Sequence, residues 1–110
     1  MQVLDRRIAR RLIMKVPLKF RPVQAPEGSE REAASMNICN QGVYFATDQK
    51  VRKGVMIQLH LKLPREVAGD DVAEWRFTGR VAHVETLGPI DGNSGVGVQF
   101  LYYEVPRPSL

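Results

Sequence analysis

The chain has 110 residues, of which 44% are hydrophobic and 25% are charged. This length accommodates one compact domain with its own core and excludes two domains, and the composition excludes an intrinsically disordered chain. The formal net charge is only +4, from 16 basic and 12 acidic residues. Polyanion binding is therefore not indicated by the total charge and would require local clustering of basic residues.

The cysteine count and the hydrophobic stretches indicate the cellular compartment of the protein. Cys39 is the single cysteine, which excludes an internal disulfide and argues against a cysteine-based metal site. Lysine or arginine interrupts every hydrophobic stretch, so no segment approaches the roughly 20 apolar residues that span a bilayer and no signal peptide is indicated. These features predict a cytoplasmic protein with no membrane insertion and no metal.

Four arginines occupy six positions in the N-terminal run RRIARR. Arg7 and Arg11 are four residues apart, as are Arg6 and Arg10, and this spacing places both members of a pair on one side of either a helix or an extended chain. Each pair can therefore direct two guanidinium groups at one ligand, and these groups match phosphates and the O6/N7 edge of guanine. On these residues alone, a solvated basic arm is the simpler interpretation.

The first half of the chain contains signals for three strands. Residues 14–21 alternate between apolar and mostly charged side chains, which predicts a half-buried strand. Pro17 falls on its outward side, which predicts an edge strand or one with interrupted pairing. Turn-forming residues follow at 22–29, and residues 34–47 are predicted to form two short strands around a turn at 40–42.

The second half of the chain contains the clearest strand, residues 55–63, in which every odd position is β-branched or leucine. Residues 75–81 alternate again, but the apolar parity shifts by one residue after Val81, which predicts a bulge or bend. The turn-rich residues 88–95 then join this strand to residues 96–100, so a hairpin is predicted.

These runs predict an all-β fold, because no helical period extends beyond a few residues. An antiparallel sheet of about six strands with one apolar face must cover that face, and closure into a small barrel does so at this length. The predicted organisation is a basic N-terminal arm (residues 1–13), a barrel (residues 14–103) and a C-terminal tail (residues 104–110).

The sequence favours a non-enzymatic protein. His60 and His83 lie within predicted strands, and His60 is on the polar side, so a solvated or hydrogen-bonded structural role is predicted for it. No nucleophile or phosphate-loop motif accompanies the histidines or Cys39. The GxG of Gly95 and Gly97 opens a strand rather than a helix, which excludes a dinucleotide-binding fold.

A second polar motif, NICNQG, occupies residues 37–42. Alternation predicts that Met36 and Ile38 face the core, which would place Asn37 and Cys39 side by side on the outer face. The glycine that ends the motif permits a turn or a close backbone approach.

An RxxxR motif followed after some 25–30 residues by [D/N]xSxxG resembles the PilZ domain family. Arg7 and Arg11 match the first motif, and the residues after Arg11 match the family's first strand. Asn37 and Gly42 match the second motif. The resemblance continues through segments 43–45, 53–64, 78–81 and 95–100 and covers most of the chain.

This resemblance implies a PilZ-like split barrel that binds cyclic di-GMP. In the family, the arginines lie on a flexible segment that closes over the ligand and grips phosphates and guanine edges. Closure would signal to a partner protein, here unidentified, and would involve no other cofactor and no DNA or RNA. The resemblance assigns the ligand site to Arg7, Arg11, Asn37, Cys39 and Gly42, with Arg6 and Arg10 as further candidates.

The chain departs from the family pattern at Cys39, where the family has serine. A thiol is a weaker hydrogen-bond partner than a hydroxyl, so binding is expected to weaken by up to roughly tenfold. The alternative is a degenerate PilZ-like adaptor between proteins that does not bind the nucleotide, for example in type IV pilus assembly. Nonspecific nucleic-acid binding is disfavoured because no aromatic residue is interleaved with the arginines.

Overall fold

The computed structural model describes residues 15–39, 41–62, 74–88 and 93–104, and these form a closed antiparallel barrel. Its strands are β1 (Pro17–Pro22), β2 (Arg31–Cys39), β3 (Gly42–Thr47), β4 (Met56–Lys62), β5 (Glu74–Thr86) and β6 (Ser94–Glu104). Around the barrel the strands follow the order β1-β2-β3-β6-β5-β4. The predicted all-β, six-stranded antiparallel barrel is therefore confirmed.

Barrel closure depends on β1, which pairs with β2 on one side and with β4 on the other. Pro17 is the first residue of β1 and pairs with Ala34, whereas pairing with β4 begins one residue later, at Leu18 opposite Leu61. The prediction of an edge strand is wrong, because β1 is paired on both sides. The missing pair with β4 at Pro17 agrees with the alternative prediction of a local interruption, which a proline at the first position of a strand confines to the strand end.

The barrel encloses an apolar core to which every strand contributes. Alternate residues of β1 and β4 point inward, as their alternation predicted, and Phe20 contacts Phe45 of β3 at a ring-centroid distance of 4.9 Å. The largest fully buried side chains are Phe45, Phe77, Ile38, Ile57, Leu59, Leu61, Val16, Val81 and Val96. Burial of these side chains stabilises the barrel and leaves the intervening residues on its outer face.

A β-bulge in β2 changes the predicted orientation of one residue. Ser35 pairs with Phe45, but the next pair is Asn37 with Tyr44, so Met36 is the extra residue. Ser35 is consequently fully buried and Met36 is 45% exposed. The prediction that Met36 faces the core is wrong, whereas the inward position of Ile38 (0% exposed) is confirmed.

The long β5–β6 hairpin contains two irregularities. The register shifts between Val81 and His83, which confirms the bulge predicted from the change of parity. A second shift, which the sequence did not indicate, separates the pair Thr78–Tyr102 from the pair at Gly79 and leaves Leu101 as the extra residue. Bulges bend a strand and increase its twist, so both shape the surface formed by β5 and β6.

A buried polar contact holds the start of the barrel. The Val16 backbone N–H donates to the Ser35 hydroxyl at 2.8 Å, and the Ser35 N–H donates to the Val16 carbonyl at 2.9 Å. An unpaired buried N–H costs about 1–3 kcal/mol, so this double contact defines where the chain joins the barrel. The predicted arm (residues 1–13) lies outside the described residues, and the domain boundaries stay predictions.

Candidate ligand-binding groove

A groove of about 620 Å³ lies on the outer face of the barrel, across β3, β6 and β5. Its volume falls within the range of small-molecule sites, roughly 300–1,000 Å³. One end is formed by the β2–β3 turn, with Cys39, Gln41 and Gly42. We call this feature the outer groove.

Gly42 lies at this end of the groove, close to the backbone of β6. It pairs with Cys39 across the turn and with Gln99 of β6. A Cβ atom at this position would overlap the Val98 carbonyl oxygen and would lie 3.2 Å from the Val98 carbonyl carbon. The predicted close backbone approach at this glycine is therefore confirmed.

Cys39 and Asn37, the other two candidate residues of the second motif, have different surroundings in the structure. Cys39 lines the outer groove but is only 8% exposed, and its thiol accepts a hydrogen bond from the Gln41 backbone N–H at 3.4 Å. Asn37 is half-buried opposite Tyr44 and is not among the groove-lining residues. The expectation that Asn37 and Cys39 lie side by side on the outer face is wrong for Cys39, which is buried and whose thiol is bonded to the turn backbone at Gln41.

The candidate arginines, Arg6, Arg7, Arg10 and Arg11, lie outside the described residues. The structure does describe the point at which the chain that follows them joins the barrel, because Val16 is bonded to Ser35 of β2. Ser35 lies four residues before Cys39 along β2.

Sequence reasoning missed Tyr44, whose side chain spans three strands. It starts on β3, lies over Gly95 of β6 and donates a hydrogen bond from its hydroxyl to Glu85 Oε1 on β5. His83 lies beside this pair, with its Nε2 atom 3.6 Å from the other Glu85 oxygen. The GxG of Gly95 and Gly97 was the available signal, since a strand needs glycine where a large side chain crosses it closely.

The contact between Tyr44 and Glu85 shifts the pKa values of the two side chains in opposite directions. Partial burial, followed by the hydrogen bond with Glu85, raises the pKa of Tyr44 to about 12. The Tyr44 hydroxyl, with a smaller contribution from His83, lowers the pKa of Glu85 below its ordinary value. Tyr44 is thus a neutral donor and Glu85 an ionised acceptor at neutral pH.

Replacing Tyr44 with phenylalanine is expected to remove a tyrosine ionisation near pH 12 from an ultraviolet absorbance titration. The pKa of Tyr44 is higher in the folded protein than in the unfolded chain, so the protonated hydroxyl stabilises the fold. This contribution to the free energy of unfolding is complete below the ordinary pKa of 10.0 and is lost as the pH rises from there to about 12. Tyr102→Phe serves as the matched control and should retain the step near pH 12. If the step near pH 12 persists in Tyr44→Phe, the assignment is wrong.

His60, for which the sequence predicted a structural role, takes part in a contact between strands. Its Nδ1 atom lies 2.9 Å from Glu74 Oε1, between the paired strands β4 and β5. This agrees with the predicted hydrogen-bonded role. Within the described ranges, no three histidine, cysteine or acidic residues are grouped so as to hold a metal ion, and no helix is long and apolar enough to cross a membrane.

The fold and the groove together define a small antiparallel β-barrel with a ligand-sized depression on its outer face. No family model matches the sequence, and no curated protein matches it. Among solved structures, the chain is similar to that of the Bacillus subtilis inhibitor of motility, MotI/DgrA, with a TM-score of 0.68 and 14% sequence identity over 86% of this chain. The matched region is 42% of that protein's length, and at this identity the likeness shows the fold.

Proposed function

We propose that the chain is a PilZ-type effector that binds cyclic di-GMP in the outer groove and closes its N-terminal arginines over the ligand. The observation that carries this proposal is the position of Cys39 and Gly42, two residues of the second motif, at one end of a ligand-sized groove. The first motif precedes β1 in the sequence, and Val16, just before β1, bonds to Ser35 of β2.

The distance along the chain supports a role for the arginines. Arg11 is five residues before Val16, and an extended chain spans up to about 3.3–3.6 Å per residue, so Arg11 has a reach of roughly 17 Å from that anchored point. Val16 bonds to Ser35, which is four residues before Cys39 in β2, and four residues of a strand span about 13 Å. An extended arm of this length would therefore be long enough to bring Arg11 to the Cys39 end of the outer groove.

The charges in the groove also favour closure of the arm. None of the groove-lining residues that the structure describes is a lysine or arginine, whereas cyclic di-GMP carries two phosphates. Guanidinium groups match phosphates and guanine edges through paired donors. Arg7 and Arg11, with Arg6 and Arg10 as further candidates, would supply the missing positive charge.

The proposed output is regulatory. Ordering of an arm on ligand binding creates a new surface, which a partner protein in the cytoplasm would recognise. The structural likeness to a protein named as an inhibitor of motility agrees with regulation rather than catalysis. No metal or further cofactor is part of this proposal.

A second candidate function follows from Cys39. The thiol is 8% exposed and already accepts the Gln41 N–H, so it offers a ligand less than the serine of the family pattern would. This favours the alternative of a PilZ-like adaptor that contacts proteins without the nucleotide.

Titration calorimetry with cyclic di-GMP separates the two functions. Wild type should bind at micromolar concentrations, and Arg11→Ala should bind roughly 10- to 100-fold more weakly, because a hydrogen bond to a charged group contributes about 1.5–3 kcal/mol. Arg52→Ala, an exposed arginine in the β3–β4 loop, is the matched control and should bind normally.

Three outcomes would count against the assignment. Absence of heat with wild type would favour the adaptor, and equal affinity of wild type and Arg11→Ala would exclude this arginine from the site. Cys39→Ser is expected to bind more tightly, by up to roughly tenfold. Unchanged affinity in Cys39→Ser would show that the thiol does not weaken the site.

A further inference from the structure

The side chain of Tyr44 follows a stripe of two glycines on the outer face of β6. A Cβ atom at Gly97 would lie 3.8 Å from Tyr44 Cδ1, and one at Gly95 would lie 2.6 Å from Tyr44 Cζ. The ring therefore extends along the strand from the first glycine to the second. The absence of side chains at both positions lets it lie against the sheet.

A hydrogen bond holds the ring in this position. The Tyr44 hydroxyl donates to Glu85, which pairs with Gly95 in the β5–β6 ladder. Tyr44 lines the outer groove and is only half-buried, so the ring face away from the glycines is accessible from the groove. An aromatic ring held at both ends is a rigid platform.

His83 borders the same place from the opposite side. It pairs with Gly97, as Tyr44 does from β3, and its side chain is 62% exposed. The two side chains thus stand on either side of a glycine within the outer groove. The Tyr44 ring covers the glycines, and its outer face, bordered by His83, is a flat surface on which a planar group can lie.

We propose that Tyr44 is the stacking platform for one guanine base of cyclic di-GMP and that His83 borders the same base. This inference rests on the proposed function and adds a base-binding subsite to it. Every base has a π-face, and an aromatic platform strengthens the binding of a base by roughly 5- to 150-fold.

A purely structural role for Tyr44 makes a different prediction. Aromatic side chains that cover glycines in a sheet can serve only to stabilise the strands. In that case a leucine at position 44 would change the free energy of unfolding but not the affinity for the nucleotide. The platform instead requires the aromatic face in the complex.

Cyclic di-GMP titration of Tyr44→Leu tests the platform, with Tyr102→Leu as the matched control. Tyr102 is 59% exposed on β6 and does not line the outer groove, so its replacement should leave the affinity unchanged. Tyr44→Leu is expected to bind roughly tenfold more weakly. It should also abolish the upfield ring-current shift of one guanine H8 proton in the NMR spectrum of the wild-type complex.

Gly95→Ala displaces the ring without removing it, because the new methyl group would overlap the Tyr44 hydroxyl. This variant is expected to weaken binding as Tyr44→Leu does, and circular dichroism checks that the barrel still folds. Wild-type affinity and an unchanged H8 shift in Tyr44→Leu would overturn the platform while leaving the proposed function intact. Absence of binding by wild type would overturn both.

Discussion

Replacing Phe77 with alanine is expected to lower the free energy of unfolding by about 3–5 kcal/mol. Phe77 is 0% exposed, and its ring stacks on Phe100 at a centroid distance of 4.0 Å, with Trp75 and Tyr103 at 6.1 and 6.2 Å. Alanine would remove the centre of this aromatic cluster and leave a cavity. A domain of this size has a total stability of about 5–15 kcal/mol, so the variant should be close to unfolding at elevated temperature.

Urea denaturation followed by circular dichroism measures this loss. Circular dichroism is preferable to fluorescence because Trp75, the single tryptophan, packs against Phe77. Tyr102→Ala is the matched control, since Tyr102 is 59% exposed, and its replacement should cost about 1 kcal/mol or less. Equal losses in the two variants would show that the aromatic cluster does not support the barrel.

Replacing Gly42 with alanine is expected to destabilise the barrel by about 1–3 kcal/mol and to weaken cyclic di-GMP binding. The added methyl group would overlap the Val98 carbonyl oxygen and lie 3.5 Å from Gln99 Cα. Both are backbone atoms, which cannot rotate away as a side chain can. The strands β3 and β6 must therefore separate at the end of the outer groove that carries Cys39.

Gly88→Ala provides the matched control for this glycine. A Cβ atom at Gly88 would meet nothing within 4 Å, and its φ is not in the left-handed region, so stability should change by no more than about 0.5 kcal/mol. Thermal unfolding and calorimetric titration of both variants complete the comparison. A Gly42→Ala protein with wild-type stability and affinity would contradict the close approach of the two strands.

The strands of the barrel could be predicted because alternation is a local property. In β1 and β4, a side chain's orientation depends on its position in the strand, so Leu18, Phe20, Ile57 and Leu59 were placed correctly in the core. The turn at residues 40–42 was predicted on similarly local grounds. A close backbone approach could be predicted at Gly42 without knowing which strand lies opposite, because glycine has no side chain.

Two predictions failed where the outcome depends on a distant strand. Met36 points outward because the pairing of β2 with β3 inserts it as an extra residue, and alternation in β2 alone contains no sign of that insertion. The sequence predicted an edge strand at Pro17 because proline has no backbone N–H to donate to a neighbouring strand. Its strand is paired on both sides because β4, some 40 residues later, closes the barrel.

The candidate site likewise has a part that the sequence predicted and a part that only the tertiary structure revealed. The sequence by itself determined the class of fold, the alternation that builds the core and the two motifs that resemble a nucleotide-binding family, because each is written in neighbouring residues. Only the tertiary structure brought Tyr44 to Glu85, which is 41 positions away in the chain. That contact exists because β6 lies between β3 and β5 in the barrel, and its glycines let an aromatic ring cross from one strand to the other.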